Sequence, residues 1–168
     1  SKDGNGLYVI TDAKSEFSRL AYLDLGTRRL KPFASEVRGD VTDFDLSADG
    51  ANIALVTNEE GISKLYILDM ASRKLRSISN LPLGVIGRVK WHRSGKQLGF
   101  NMSSARLSNE AFSWDLQSGK IERWTHSETG GLNTQKFVMP ELIRWKTFDE
   151  KTISGFLYRP ATKFPGKR

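Results

Sequence analysis

Cysteine is absent from the 168 residues, which excludes disulfides and thiolate metal sites and leaves the redox compartment unread. Histidine occurs only at His92 and His126, far apart and beside no carboxylate cluster, so no metal site and no cofactor are expected. No apolar run approaches the roughly 18 residues a membrane span needs, and the expectation is a chain in water without a membrane partner. Neither an initiating Met nor a charged-then-apolar leader precedes SKDGNGLYV, so any targeting signal is expected to have been removed or to lie outside the segment. The compartment is not readable, with the cytoplasm favoured for a soluble chain. Proline is scarce at five residues, and 38% hydrophobic with 27% charged residues is the composition of an ordinary globular chain.

Catalytic signatures are missing as well. Acyl transfer by a serine needs a base beside the hydroxyl, an acid behind the base and donors for the oxyanion. The chain has no G-x-S-x-G elbow and no HGG segment. In HSE at 126–128 the neighbouring side chains of an extended segment point to opposite faces, so His126 reads as a linker histidine. His92 reads as a blade-surface residue beside a turn. GNGLYV at 4–9 is a glycine pattern on a hairpin, not a phosphate loop before a helix. No catalytic residue is expected in this chain.

What is there is a repeat. Three turn tetrads occur, SKDG at 1–4, SADG at 47–50 and HRSG at 92–95, each followed by an apolar run: NGLYVIT, ANIALVT and KQLGFNM. A second run carries an aspartate near its end, in RLAYLDL, KLYILDM and AFSWDLQ, and a third follows a basic turn, in RRLKPF, RKLRSIS and GKIERWT. The period is about 45 residues. The runs are short, rich in β-branched, leucine and aromatic residues, and bounded by Gly, Asp, Asn and Ser, which makes them strands joined by hairpin turns. A fourth strand precedes each internal tetrad, VTDFDL at 41–46 and IGRVKWH at 86–92. The fold class is therefore all-β: a partial β-propeller of four-stranded antiparallel blades, at about 1–40, 41–85 and 86–125. The first blade lacks its leading strand. Three blades cannot close a ring, which usually takes about four to eight, and self-association through open blade edges is one expected consequence.

Charge and aromatics follow the repeat. Lys and Arg number 26 against 19 Asp and Glu, a net charge of +7. Arg28, Arg29 and Lys31, then Arg73, Lys74 and Arg76, then Lys120 and Arg123 recur at the turn into the outermost strand. They read as protection of exposed edges rather than a nucleic-acid stripe, because aromatics are not interleaved with them. Phe44, Trp91, Trp114 and Trp124 read as inter-blade core. Glu110, in the polar stretch SSARLSNEA taken as a long loop, is the one candidate for touching a substrate's charged terminus.

Beyond Thr125 the repeat fails. A linker at 126–140 leads to strands near 142–148 and 153–158 around a turn at 149–151, with Trp145 and Phe148 expected to pack a domain junction. Pro140, Glu141, Leu142 and Ile143, then Thr147, Phe148 and Asp149, then Ile153, Gly155, Phe156, Leu157, Tyr158 and Pro160 form a pattern that resembles the prolyl oligopeptidase family of serine peptidases. The likeness is strongest to its acylaminoacyl-peptidase and dipeptidyl-aminopeptidase-like branch. Glu150 stands where that family commonly has Gly, and HRSG lacks the Asp of the other tetrads. The resemblance implies that 141–168 is the N-terminal edge of an α/β-hydrolase domain whose serine, aspartate and histidine follow in chain order. It further implies that the propeller gates short peptides into that domain. The rival is a non-enzymatic scaffold, like the periplasmic propeller of the Tol–Pal system or a WD-repeat protein, which would lack the 137–160 junction.

Overall fold

Residues 1–160 are described by the structure, a computed structural model; the end of the expected hydrolase edge, 161–168, lies outside the described residues. Strands β1 (Gly6–Thr11), β2 (Arg19–Asp24) and β3 (Leu30–Pro32) form a three-stranded sheet. Four-stranded sheets follow: β4 (Asp40–Leu46), β5 (Asn52–Glu59), β6 (Ile62–Asp69) and β7 (Leu75–Ser77), then β8 (Val85–Trp91), β9 (Gln97–Ser104), β10 (Leu107–Asp115) and β11 (Ile121–Arg123). A final hairpin pairs β12 (Glu141–Lys146) with β13 (Thr152–Leu157). The described residues hold no α-helix, only a 3-10 turn at Thr134–Lys136. The chain is all-β, three stacked antiparallel blades of a partial propeller, with the first blade one strand short.

The repeat's landmarks are turn chemistry. Gly4, Gly50 and Gly95 close the three tetrads at φ 73°, 74° and 69°, the left-handed region where a Cβ is penalised. In SADG, Asp49 Oδ1 accepts the Ala51 N–H at 3.0 Å. In the divergent HRSG, Ser94 Oγ instead accepts the Lys96 N–H at 3.3 Å, and His92 Nδ1 lies 2.9 Å from that hydroxyl. The recurring Asp after each second run has one job throughout. Asp24, Asp69 and Asp115 accept the N–H three residues on, from Thr27, Ser72 and Ser118, at 2.8, 2.7 and 2.8 Å. These local bonds set the turn into each outer strand. Glu150, in place of the glycine, does adopt φ 59° in the β12–β13 turn.

Blades stack face to face, and alternation decides which residues meet. On blade 1, Leu20 with Tyr8 and Phe33 packs on Ile53, Leu55 and Leu68 of blade 2. The opposite face of blade 2, Ala54, Val56, Leu65 and Ile67, packs on Leu98, Phe100, Met102, Phe112 and Trp114 of blade 3. Ile53 to Thr57 are consequently all buried in one run, as expected of a strand covered on both faces. Trp91 and Trp114 are core, and Phe44 packs partly buried against the first cluster. Trp124 is the exception to the expected inter-blade role. Its N–H bonds the Ala111 carbonyl just as those of Phe33 and Ile78 bond Leu20 and Leu65, so it holds the repeat position that a following blade would cover. No blade follows in the described residues, and Trp124 is 63% exposed, its indole N–H donating to Ser113 Oγ at 2.8 Å.

Carboxylates of the inner strand add an inter-blade tie that periodicity did not reveal. The β8 ladder shifts register between Gly87 and Lys90, with Arg88 at φ 54°. A bulge leaves backbone donors without ladder partners. Asp43 accepts the Val89 N–H at 3.0 Å, and Asp45 accepts the Trp91 N–H at 2.7 Å and the Lys90 ammonium at 2.8 Å.

Candidate functional site

Two hollows adjoin at the end of the blades where the β12–β13 hairpin folds back. One is apolar, about 310 Å³, and includes Leu83, Val85, Met139, Pro140, Phe156 and Tyr158 in its lining. The other is a wider groove of about 850 Å³ between the β5–β6 turn, the 37–40 loop and the hairpin. Its charged residues are Arg38, Lys64 and Arg144 against Asp40, Glu59 and Glu60, with Phe17, Leu142 and Phe156 as apolar walls. These residues are brought together from segments more than 100 positions apart.

Each wall has a local reason for its shape. Gly61, at φ 84°, lies under Phe156, whose ring would be 2.7 Å from a Cβ there, so the β5–β6 turn can approach the hairpin only as glycine. Arg144 grips Glu60 through one edge of its guanidinium, with Nε to Oε1 at 2.7 Å and Nη2 on Oε2. That bidentate pairing holds the Glu60 carboxyl below its ordinary value and the Arg144 guanidinium above its own. Burial pushes the Glu59 carboxyl up, but hydrogen bonds from Lys64 Nζ at 2.6 Å and the Tyr66 hydroxyl at 2.7 Å outweigh it and leave the net shift downward. The Tyr66 hydroxyl is in turn pushed up, first by burial and then by that bond.

Glu110 belongs to a different place from the one its sequence context suggested. It lies on strand β10 rather than in a loop, because the turn after β9 is short and a register shift between Leu107 and Glu110 absorbs the extra residues. Its side chain is 1% exposed and faces blade 2 beside Met102. Thr125 Oγ donates at 2.6 Å, the Ser127 N–H at 2.8 Å and Arg123 Nη2 at 3.0 Å. The Thr125 bond first, then those from Ser127 and the Arg123 charge, overcome desolvation and hold its pKa at about 2. A substrate terminus would have to displace these partners.

The other candidate residues are dispersed. His92 and His126 are exposed on a turn and in the connector, and neither adjoins the groove. Among the repeated cations, Arg73 lies 4.1 Å over the Phe33 ring and Arg76 5.3 Å over that of Trp114, both across blade boundaries, while Arg123 serves Glu110. Packing across blades thus accounts for Arg73 and Arg76, and an ion pair within blade 3 for Arg123, three residues that the edge reading treated only as surface charge. Trp145 and Phe148 are 46% and 102% exposed on the hairpin, and it is Phe156 that meets the blade end, over Gly61. The groove's Arg38, Glu59, Glu60 and Arg144 carry no sequence signal, since the first three are charged residues at a loop or turn and Arg144 is one on an exposed strand. Among the described residues no cluster of His, Asp and Glu has a metal-holding arrangement.

No family model matches the sequence. No curated protein matches it either. Solved structures do. The chain is similar to a puromycin hydrolase, at 20% identity over 95% of this chain and 24% of that one, with a TM-score of 0.74. It is similar to prolyl oligopeptidase B of Galerina marginata, at 10% identity over 91% and 22% of the two chains, with a TM-score of 0.71. TolB of Acinetobacter baumannii is also similar, at 17% identity over 95% and 36%, with a TM-score of 0.62. At such identities the likeness is one of fold, and it assigns the three sheets as propeller blades. The chain spans less than a quarter of the peptidase chains and 36% of TolB.

Proposed function

We propose that the chain is part of the propeller, with the connector, of a serine peptidase of the prolyl oligopeptidase family. In this reading residues 1–125 are propeller, 126–140 linker and 141–168 the leading edge of an α/β-hydrolase domain that carries the catalytic serine, aspartate and histidine. The propeller admits short peptides and excludes folded ones, and hydrolysis belongs to the hydrolase domain. One observation carries the reading. The segment that bears the family-like pattern, Glu141 to Leu157, is a hairpin docked on the blade end through Arg144–Glu60 and Phe156–Gly61, so a domain begun by that hairpin would face the charged groove. The Pro140-to-Ile143 and Thr147-to-Asp149 stretches favour the acylaminoacyl-peptidase and dipeptidyl-aminopeptidase-like branch. A second reading, a binding propeller without catalysis, is favoured by the likeness to TolB over 95% of this chain.

Reading the coding sequence over about 250 codons beyond Arg168, one large domain's length, separates the two. G-x-S-x-G followed by Asp and His, with fluorophosphonate labelling of that serine in the full-length protein, supports the peptidase. A stop codon or further blades supports the scaffold. The 168-residue chain itself should remain unlabelled.

A further inference from the structure

We infer that Arg38 is the anchor for the C-terminal carboxylate of a short peptide bound in the groove between the β5–β6 turn and the β12–β13 hairpin. The inference rests on the peptidase reading only for the identity of the ligand as a peptide.

The loop around Arg38 is built to hold one position. Arg19 Nη1 donates to the carbonyls on either side of Arg38, Val37 at 3.0 Å and Gly39 at 2.6 Å. Val37 is buried at 4% exposure, and Asp40 Oδ1 accepts the Ser18 N–H at 2.8 Å. Gly39 sits at φ 70° with the Asn58 carbonyl 1.9 Å from where a Cβ would stand, so the loop is pressed against the β5–β6 turn. An arginine presented from a backbone fixed on both sides loses less freedom on binding than one on a mobile loop.

Charge selects the ligand. Of the groove's three cations, Lys64 is paired with Glu59 and Arg144 with Glu60; among the described residues Arg38 has neither an ion pair nor a side-chain hydrogen bond. Asp40, the remaining carboxylate of the groove, accepts the Ser18 N–H rather than pairing with Arg38, so the guanidinium fork is open to one planar monoanion, and a carboxylate meets it with two parallel bonds. A phosphate dianion, or the many charges of a nucleic-acid backbone, would be repelled by Glu59, Glu60 and Asp40 in the same groove more strongly than a single carboxylate. Phe17 and Phe156, each 39% exposed, leave apolar surface for the side chains next to that carboxylate. A peptide's C-terminus combines these features.

The test uses the 168-residue chain and the fluorescein-labelled peptide Ala-Ala-Pro-Phe as free acid and as C-terminal amide, read by anisotropy. The free acid should bind at least tenfold more tightly than the amide, Arg38→Gln should remove that preference, and Arg38→Lys should restore part of it. Thermal unfolding of Arg38→Gln should match the parent, since the side chain makes no contact that folding needs. Equal binding of acid and amide, no binding of either, retention of the preference in Arg38→Gln, or displacement by inorganic phosphate more strongly than by acetate would each overturn the inference. None of these outcomes bears on whether a catalytic serine lies beyond Arg168. Conversely, carboxylate binding without that serine would place the same site in a binding propeller.

Discussion

At the residue scale, Glu110 shows how burial converts a surface-type residue into a fastener. Its carboxylate ties β10 to the outgoing chain at Thr125 and Ser127, while Arg123 supplies the compensating charge. Because its folded pKa is depressed to about 2, the carboxylate's contribution to stability is fully present above the unfolded value of about 4.3. It is lost as pH falls through that window toward about 2. Glu110→Gln should therefore lower stability by about 1–3 kcal/mol at neutral pH, the range for an unsatisfied buried polar pair. The variant should also flatten the acid limb of a stability-against-pH curve between about pH 4.3 and 2. Urea melts at pH 7, 4 and 3 on both proteins check this, and an unchanged acid limb would assign the acid loss elsewhere.

At the scale of elements, a strand's value depends on whether it has a neighbour on each face. Leu65 of β6 is fully buried between blades 2 and 3, whereas Trp124, at the end of β11, occupies an interface position with nothing across from it. Leu65→Ala should cost about 2–5 kcal/mol by emptying a packed core. Trp124→Ala should stay within about 0.5 kcal/mol, the range of surface changes, although the tryptophan is much the larger side chain. Chemical denaturation of the two variants measures both values. Both are read at concentrations low enough to keep the chain monomeric, where a large loss at Trp124 would mean that its face is covered within the chain itself.

For the whole molecule, the two end blades leave sheet faces unsatisfied. On blade 1 the face turned away from blade 2 includes Leu7, at 49% exposure, with Leu30 at 44% nearby; on blade 3 it carries Trp124. A propeller ring closes by covering such faces, and in the isolated 168-residue chain a second copy is the available cover. We expect size-exclusion with light scattering to give a concentration-dependent species larger than a monomer, and Leu7→Lys with Leu30→Lys to reduce it. A clean monomer at high concentration would show that these faces are too small to drive association.

The sequence by itself determined the strands, the turns and the blade period, because each landmark is local. Asp24, Asp69 and Asp115 bond N–H groups three residues away, and Gly50 and Gly95 need only their own backbone angles. The turn at 149–151 and the hairpin around it were legible for the same reason, while Glu150's left-handed backbone was not. What only the tertiary structure decided depends on neighbours distant in sequence. Glu110 became a buried fastener because of Arg123, Thr125 and Ser127. Trp124 became exposed because no described blade follows it. Asp43 and Asp45 found their donors 46 residues on, in the bulge of β8. Arg38 and Arg144 came to one groove because the hairpin folds back over 84 residues to Glu60. Periodicity encodes which face of a strand a side chain occupies, but not what another blade or a returning hairpin places against it.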